Sequence, residues 1–224
     1  MAGSVGPNII EEGLVFYVDT ANKESYPGSG TTWTDLAGSN NGTLTNGPTF
    51  DSGNGGSFDF DGTDDIAESS IDPSVFSTGF DAYTVSYWLK YDSLGSFPTV
   101  FELRMGTSNN NQWTDYINGN RLYAYPGGAV QLSNSSLSVN TWYNLCVTIS
   151  QGSGNVFSTY INGELDKTGN WNRNHGTPTK YRIAGNNSQR RFNGRINIIS
   201  YYNLTLSASE VLQNYNALKG RFGL

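Results

Sequence analysis

Tyr83-Thr84-Val85-Ser86-Tyr87-Trp88-Leu89-Lys90-Tyr91 decides the fold class. Tyr83, Val85, Tyr87, Leu89 and Tyr91 take every second position, with Thr84, Ser86, Trp88 and Lys90 between them. Successive side chains of a strand point to opposite faces, so this alternation predicts a long strand with one packed face. Residues 14–18 (LVFYV) read as a buried first strand ending at Asp19, and 97–105, 142–149, 156–161, 181–184 and 192–202 read as further strands. Successive strands are separated by roughly a dozen residues, with Gly or Asn at nearly every joint. Asn-Gly pairs stand at 41–42, 46–47, 118–119, 162–163 and 193–194. Two belong to a local repeat, Tyr116-Ile117-Asn118-Gly119 and Tyr160-Ile161-Asn162-Gly163. Asn-Gly suits a type I′ turn, whose two central residues both need positive φ. The first repeat should pair 112–117 with 120–125, and the second 155–161 with 164–168. Antiparallel hairpins in this number predict a sandwich or jelly roll.

Composition agrees. Of 224 residues, 27 are Gly and 26 are Asn, so turn formers fill nearly a quarter of the chain, while only 14% of residues are charged. The aromatic share of 13% excludes a disordered chain, which lacks the apolar mass to offset ordering entropy. No apolar run approaches the roughly 20 residues that cross a bilayer as a helix. The opening residues, MAGSVGPNIIEEG, lack the basic start and apolar centre of a secretory signal, and the single cysteine, Cys146, excludes an internal disulfide framework. The expectation is synthesis and folding in a cytoplasm.

One helix is expected near the C-terminus. Ser207 and Glu210 have capping-box spacing; Val211, Leu212, Tyr215 and Leu218 then recur at helical intervals, and Gly220 is placed to end the helix. Its expected duty is to cover one end of the sandwich. The loops at 20–57 and 106–115 are long, which marks functional loops or assembly contacts.

Charge is uneven. Residues 1–102 hold 15 acids and two bases, a balance of −13, whereas residues 103–224 hold 4 acids and 11 bases, a balance of +7. Interleaved halves would cancel in space; segregated halves would make a dipole suited to ordered contacts. The net charge of −6 argues against nucleic acid as a partner, because phosphate neutralisation needs a clustered basic face. Arg173, Lys180, Arg182, Arg190, Arg191 and Arg195 form the one basic stretch, read as a solvated rim or as an electrostatic docking face.

Several longer stretches carry a resemblance: GLVFYVD (13–19), YPGSGTTWTDLAG (26–38), NGTLTNGPTF (41–50), FDGTDD (60–65), WYNLCVTIS (142–150), STYINGELDKTG (158–169), YRIAGNNSQRRFNGRI (181–196) and YYNLTLSASEVLQNYNA (201–217). Together they resemble a LamG-like jelly roll of the concanavalin A-like lectin/glucanase superfamily. The resemblance implies an all-β, two-sheet antiparallel jelly-roll sandwich with a short C-terminal helix. It forms a single domain over 1–224, with its core at about 13–217 and the termini as assembly contacts. The YPGSGTTW segment and the QNYNALKGRFG tail resemble small virion structural proteins of tailed bacteriophages. That implies a non-catalytic capsid decoration, head fibre or tail appendage on the virion surface, partnered by other virion proteins and by itself. The alternative is a lectin module recognising cell-surface glycans.

The candidate sites follow. Glycosidases of this superfamily place paired carboxylates at a spacing like ExDxxE, and no such triplet occurs here. The densest carboxylate cluster is Asp59, Asp61, Asp64 and Asp65. Hard oxygens around a Gly-bearing turn suit Ca²⁺, and LamG-like relatives hold calcium; otherwise Asp61-Gly62 reverses the chain and the carboxylates are solvated or paired with Arg. Asn110, Asn111 and Trp113, and Trp171, Asn172, Arg173 and His175, each set a Trp among polar side chains. That pattern suits a glycan, a protein partner, or packing over the sandwich. Trp33, Trp88 and Trp142 read as core. Cys146 reads as a small core residue, and His175 has no nucleophile elbow beside it.

Overall fold

The computed structural model describes residues 7–70, 82–93, 97–104, 112–125, 128–150, 156–170, 178–186 and 190–224. Sixteen strands are described there: β1 (Leu14–Asp19), β2 (Thr32–Trp33), β3 (Gly42–Thr45), β4 (Thr49–Asp51), β5 (Ser57–Asp61), β6 (Ile66–Ser70), β7 (Tyr83–Tyr91), β8 (Thr99–Arg104), β9 (Gln112–Asn118), β10 (Arg121–Ala124), β11 (Val130–Gln131), β12 (Trp142–Ser150), β13 (Val156–Ile161), β14 (Glu164–Asn170), β15 (Lys180–Ile183) and β16 (Asn193–Tyr202). They form two antiparallel eight-stranded sheets. The first runs β14-β13-β12-β7-β16-β5-β4, with β1 also paired to β16; the second runs β11-β10-β9-β8-β15-β6-β3-β2. This is the all-β sandwich expected, and the stretch expected as a long loop at 20–57 contains three of its short strands, of which β2 and β4 are edges.

Tyr83, Val85, Tyr87, Leu89 and Tyr91 of β7 all point inward and are at most 2% exposed. They meet Phe101, Leu103, Trp113, Ile117, Tyr181 and Ile183 of the second sheet in one continuous core. Aromatic pairs fill the gap between the layers, with Phe16 and Tyr181 centroids 4.8 Å apart and Tyr83 stacked on Tyr201 at 5.4 Å.

The two Asn-Gly repeats turn differently. In the second, Ile161 faces Glu164 and the loop is Asn162-Gly163, both at positive φ, as a type I′ turn requires. In the first, Asn118 faces Arg121 and the positive-φ pair is Gly119-Asn120. The turn is therefore one residue later than expected. That register sets Ile117 opposite Leu122, both buried, where the expected one would set Ile117 opposite Asn120. Packing chooses between two turns that the local sequence permits.

α1 (Ala208–Leu218) begins in the expected capping box: the Ser207 hydroxyl accepts from the Glu210 N–H, and the Glu210 carboxylate accepts from the Ser207 N–H at 2.7 Å. Its position differs from expectation. It lies on the outer face of the first sheet, where Trp88 stacks on Phe222 at 4.1 Å and on Tyr215 at 5.7 Å. Gly220 does not end it, because the chain tightens into a 3₁₀ turn over Lys219–Phe222 and stops at Gly223, φ 72°. Leu218 and Phe222 are buried on the chain's own sheet, so the fold extends past residue 217. Trp142 is half-buried against Phe222, whereas Trp33 is in the interior.

The two halves of the chain interleave, and some of their opposite charges meet. Glu68 pairs with Lys180 at 3.0 Å and Arg182 at 2.6 Å, Asp51 with Arg195 at 2.5 Å, and Asp19 with Arg221 at 2.8 Å. In each case an acid of the first half meets a base of the second.

Candidate functional site

The acidic turn joins the two sheets. β5 leaves the first sheet at Asp61, Gly62 adopts φ 76°, and the chain enters the second sheet as β6. A side chain at Gly62 would meet Asn193 at 2.8 Å in a conformation that L residues rarely adopt. Asp61 Oδ1 accepts the Thr63 N–H at 2.7 Å, and Asp65 Oδ2 accepts the Asp61 N–H at 3.1 Å. The Thr63 N–H holds the Asp61 carboxyl below its ordinary range, whereas burial pushes Asp65 up and the neighbouring carboxylates add to the rise. One oxygen from each of Asp61, Asp64 and Asp65 lies within 4.8 Å of the others. Asp59 is not part of this group: it faces Arg195 at 3.4 Å, since strand alternation and the β5–β16 register carry it to a basic partner. The three carboxylates suit Ca²⁺ in donor type and supply about half of the 6–8 oxygens that it takes.

A second polar array crosses the outer face of the second sheet. Glu68 of β6 is opposite Arg182 of β15, which is opposite Glu102 of β8. Arg182 donates to Glu68 at 2.6 and 2.9 Å and lies 3.7 Å from Glu102, which is fully buried. Burial alone would raise Glu68, but hydrogen bonds from Arg182 and Lys180 hold its carboxyl below the usual range. The guanidinium fills the space between the two acids. Further along the same face Tyr116 of β9 stacks on Tyr123 of β10 at 5.7 Å, and Phe97 meets Tyr116 edge-on.

The expected glycan- or partner-binding residue Trp113 is a correction. It has no exposed surface, contacts Tyr83 edge-on at 5.3 Å and belongs to the core. Alternation along β9 turns Trp113, Asp115 and Ile117 inward and Thr114 and Tyr116 outward. That period-two signal sets Trp113 and Tyr116 on opposite faces, and it is the signal in the sequence that separates them. Asn110, Asn111, Trp171, Asn172, Arg173 and His175 lie outside the described residues.

Two perturbed groups are sealed away. Asp115, hydrogen-bonded by the Tyr87 hydroxyl, is pushed up to about 7 by burial, against the lowering effect of Trp113 and Tyr87. It lies between the sheets, out of reach of any ligand at the surface. Burial beneath α1 raises the Cys146 thiol to about 12, which leaves it protonated and unreactive at neutral pH.

A laminin G family model, described as the concanavalin A-like lectin/glucanases superfamily, matches residues 61–212. The chain belongs to this superfamily. The match spans β6 to the middle of α1, which includes most of both sheets and the first half of the helix that seals one of them. Concanavalin A-like architecture recurs in solved structures of low identity. Domain 4 of AbnA, an extracellular arabinanase from Geobacillus stearothermophilus, solved in complex with arabinotriose, shares 18% identity at TM-score 0.72, over 90% of this chain and 98% of that one. The binding domain of Paraclostridial Mosquitocidal Protein 1 shares 17% identity at TM-score 0.70, over 92% of this chain. Trypanosoma rangeli sialidase, in complex with the inhibitor DANA, shares 14% identity at TM-score 0.69, over 95% of this chain. This chain spans 52% of the mosquitocidal structure and 35% of the sialidase. No curated protein matches the sequence.

Proposed function

We propose that the protein is a non-catalytic, lectin-like module that binds a saccharide. The observation that carries this reading is the outer face of the second sheet, where charged and aromatic side chains stand on strands with no helix over them among the described residues. The AbnA domain supports it, because a domain of the same extent and fold was solved with arabinotriose. The absence of catalysis is supported by the placement of the acids. Glycoside hydrolysis needs two carboxyl groups about 5–10 Å apart with the substrate between them. Glu68 and Glu102 flank a guanidinium instead, and Asp115 is enclosed in the core.

A glycan array probed with the whole chain, in calcium and in chelator, tests the reading; silence toward every saccharide at millimolar strength would overturn it. Calcium at Asp61, Asp64 and Asp65 belongs to the same proposal. A bound ion must raise the melting temperature relative to chelator, and an unchanged melt removes the ion.

A second reading, a virion surface component made in the host cytoplasm, is favoured by the resemblance of YPGSGTTW and QNYNALKGRFG to phage structural proteins. Mass spectrometry of purified particles tests it, and absence from them would end it.

A further inference from the structure

We propose that the patch formed by Phe97, Tyr116, Tyr123 and Arg190 on the outer face of the second sheet is a saccharide platform, and that the sugar it holds carries a carboxylate. This rests on the saccharide-binding reading above and adds the place and the ligand class.

Phe97 is 37% exposed and held at φ 57°, a conformation in which a bulky residue is an outlier. Such conformations persist where the surroundings over-determine them, and they concentrate at ligand sites. Here the ring is fixed from two sides, by Tyr116 at 5.8 Å and by the Arg190 guanidinium 4.8 Å from its centroid. Tyr116 is almost wholly buried and serves as the floor. Tyr123 continues the row and is held by its hydroxyl, which donates to Gln131 Oε1 at 3.1 Å; Gln131 Nε2 in turn donates to the Ser133 carbonyl at 2.7 Å. Flat apolar rings with polar edges, immobilised before a ligand arrives, suit the C–H faces and hydroxyls of a sugar.

Arg190 supplies the charge. Lys90, Lys180, Arg182, Arg195 and Arg221 each have a carboxylate partner. Arg190 has no carboxylate partner among the described residues, and unlike Arg121, Lys167 and Arg191, which donate to backbone carbonyls, its guanidinium lies over the Phe97 ring beside Tyr116. A guanidinium on an aromatic face still offers a planar fork of donors, and that fork matches a carboxylate with two parallel hydrogen bonds. An acidic sugar therefore meets stacking rings and an unpaired cation at one place.

The test measures binding of 3′-sialyllactose and tetragalacturonate by calorimetry, with lactose and maltotetraose as neutral counterparts. The proposal expects at least one acidic probe to bind tenfold or more tightly than its neutral counterpart, with affinity falling as salt rises. Arg190→Gln should remove that preference. Phe97→Ala and Tyr123→Ala should each weaken binding at least tenfold while the melting temperature stays within a few degrees, and Leu212→Ser, on the opposite side of the molecule, should change nothing. Equal or tighter binding of the neutral sugars overturns the carboxylate assignment. Unchanged affinity in all three patch variants overturns the location. Failure of both acidic probes to bind at millimolar strength overturns the proposal itself, whereas the saccharide reading falls only if the glycan array is also silent.

Discussion

On the outer face of the first sheet Trp88, Ile198 and Tyr202 lie beneath the C-terminal segment, whereas on that of the second sheet Glu68, Arg182 and Tyr123 reach solvent. Both faces are built by the same alternation of strand residues. The difference is the cover: α1 and the turn after it place Val211, Leu218 and Phe222 on one sheet and contribute nothing to the other. One face thus becomes a second core, whereas among the described residues no helix lies over the other. A large aromatic on the covered face is therefore a stability residue, whereas Tyr123 on the other face keeps part of its surface in solvent.

The sharpest way to break this comparison is Trp88→Ala. It should cost about 3–5 kcal/mol, as deletion of a buried aromatic does, and denaturant unfolding would measure it. A loss below about 1 kcal/mol would show that the C-terminal segment is not seated there. Next is Asp115, whose strand β9 serves both interior and open face. Its folded pKa, about 7, lies above the ordinary carboxylate value, so the native state holds its proton more tightly than the unfolded chain does. Its contribution to stability is complete below about pH 4 and is lost as pH rises toward 7, on the order of 4 kcal/mol. Asp115→Asn should flatten that part of the pH profile relative to wild type, and identical profiles would place the carboxylate outside the core. Ser207→Ala removes the cap of α1 and should cost about 1 kcal/mol, read as a lower midpoint. Tyr123→Ala, on the open face, should cost about 1 kcal/mol or less. A loss as large as that of Trp88→Ala would make the second face a covered one as well.

Much of the fold was legible because period two and tight-turn chemistry are local. The β7 alternation named every inward residue correctly, and Ser207 with Glu210 marked the start of the helix. The candidate site was less legible. Trp113 stood among amides, a pattern that suits a sugar, but a Trp on a strand can face either way and only the opposing sheet determines which. The acid cluster was visible, but Asp59 left it because the β5–β16 register brings Arg195 beside it, a contact 136 residues away in sequence. Phe97 read as the first residue of a strand over 97–105, whereas β8 begins at Thr99 and Phe97 stands at φ 57° beside Tyr116 and Arg190.

Sequence alone determined that this chain forms strands joined by tight turns, where the capping box lies and which side of each strand is apolar, because those properties depend on neighbours within a few residues. Tertiary structure decided which apolar side faces the other sheet, which outer face the helix seals, how distant acids and bases pair, and where Arg190 meets an aromatic ring. Those outcomes depend on contacts between residues far apart in the chain, and no short stretch of it encodes them.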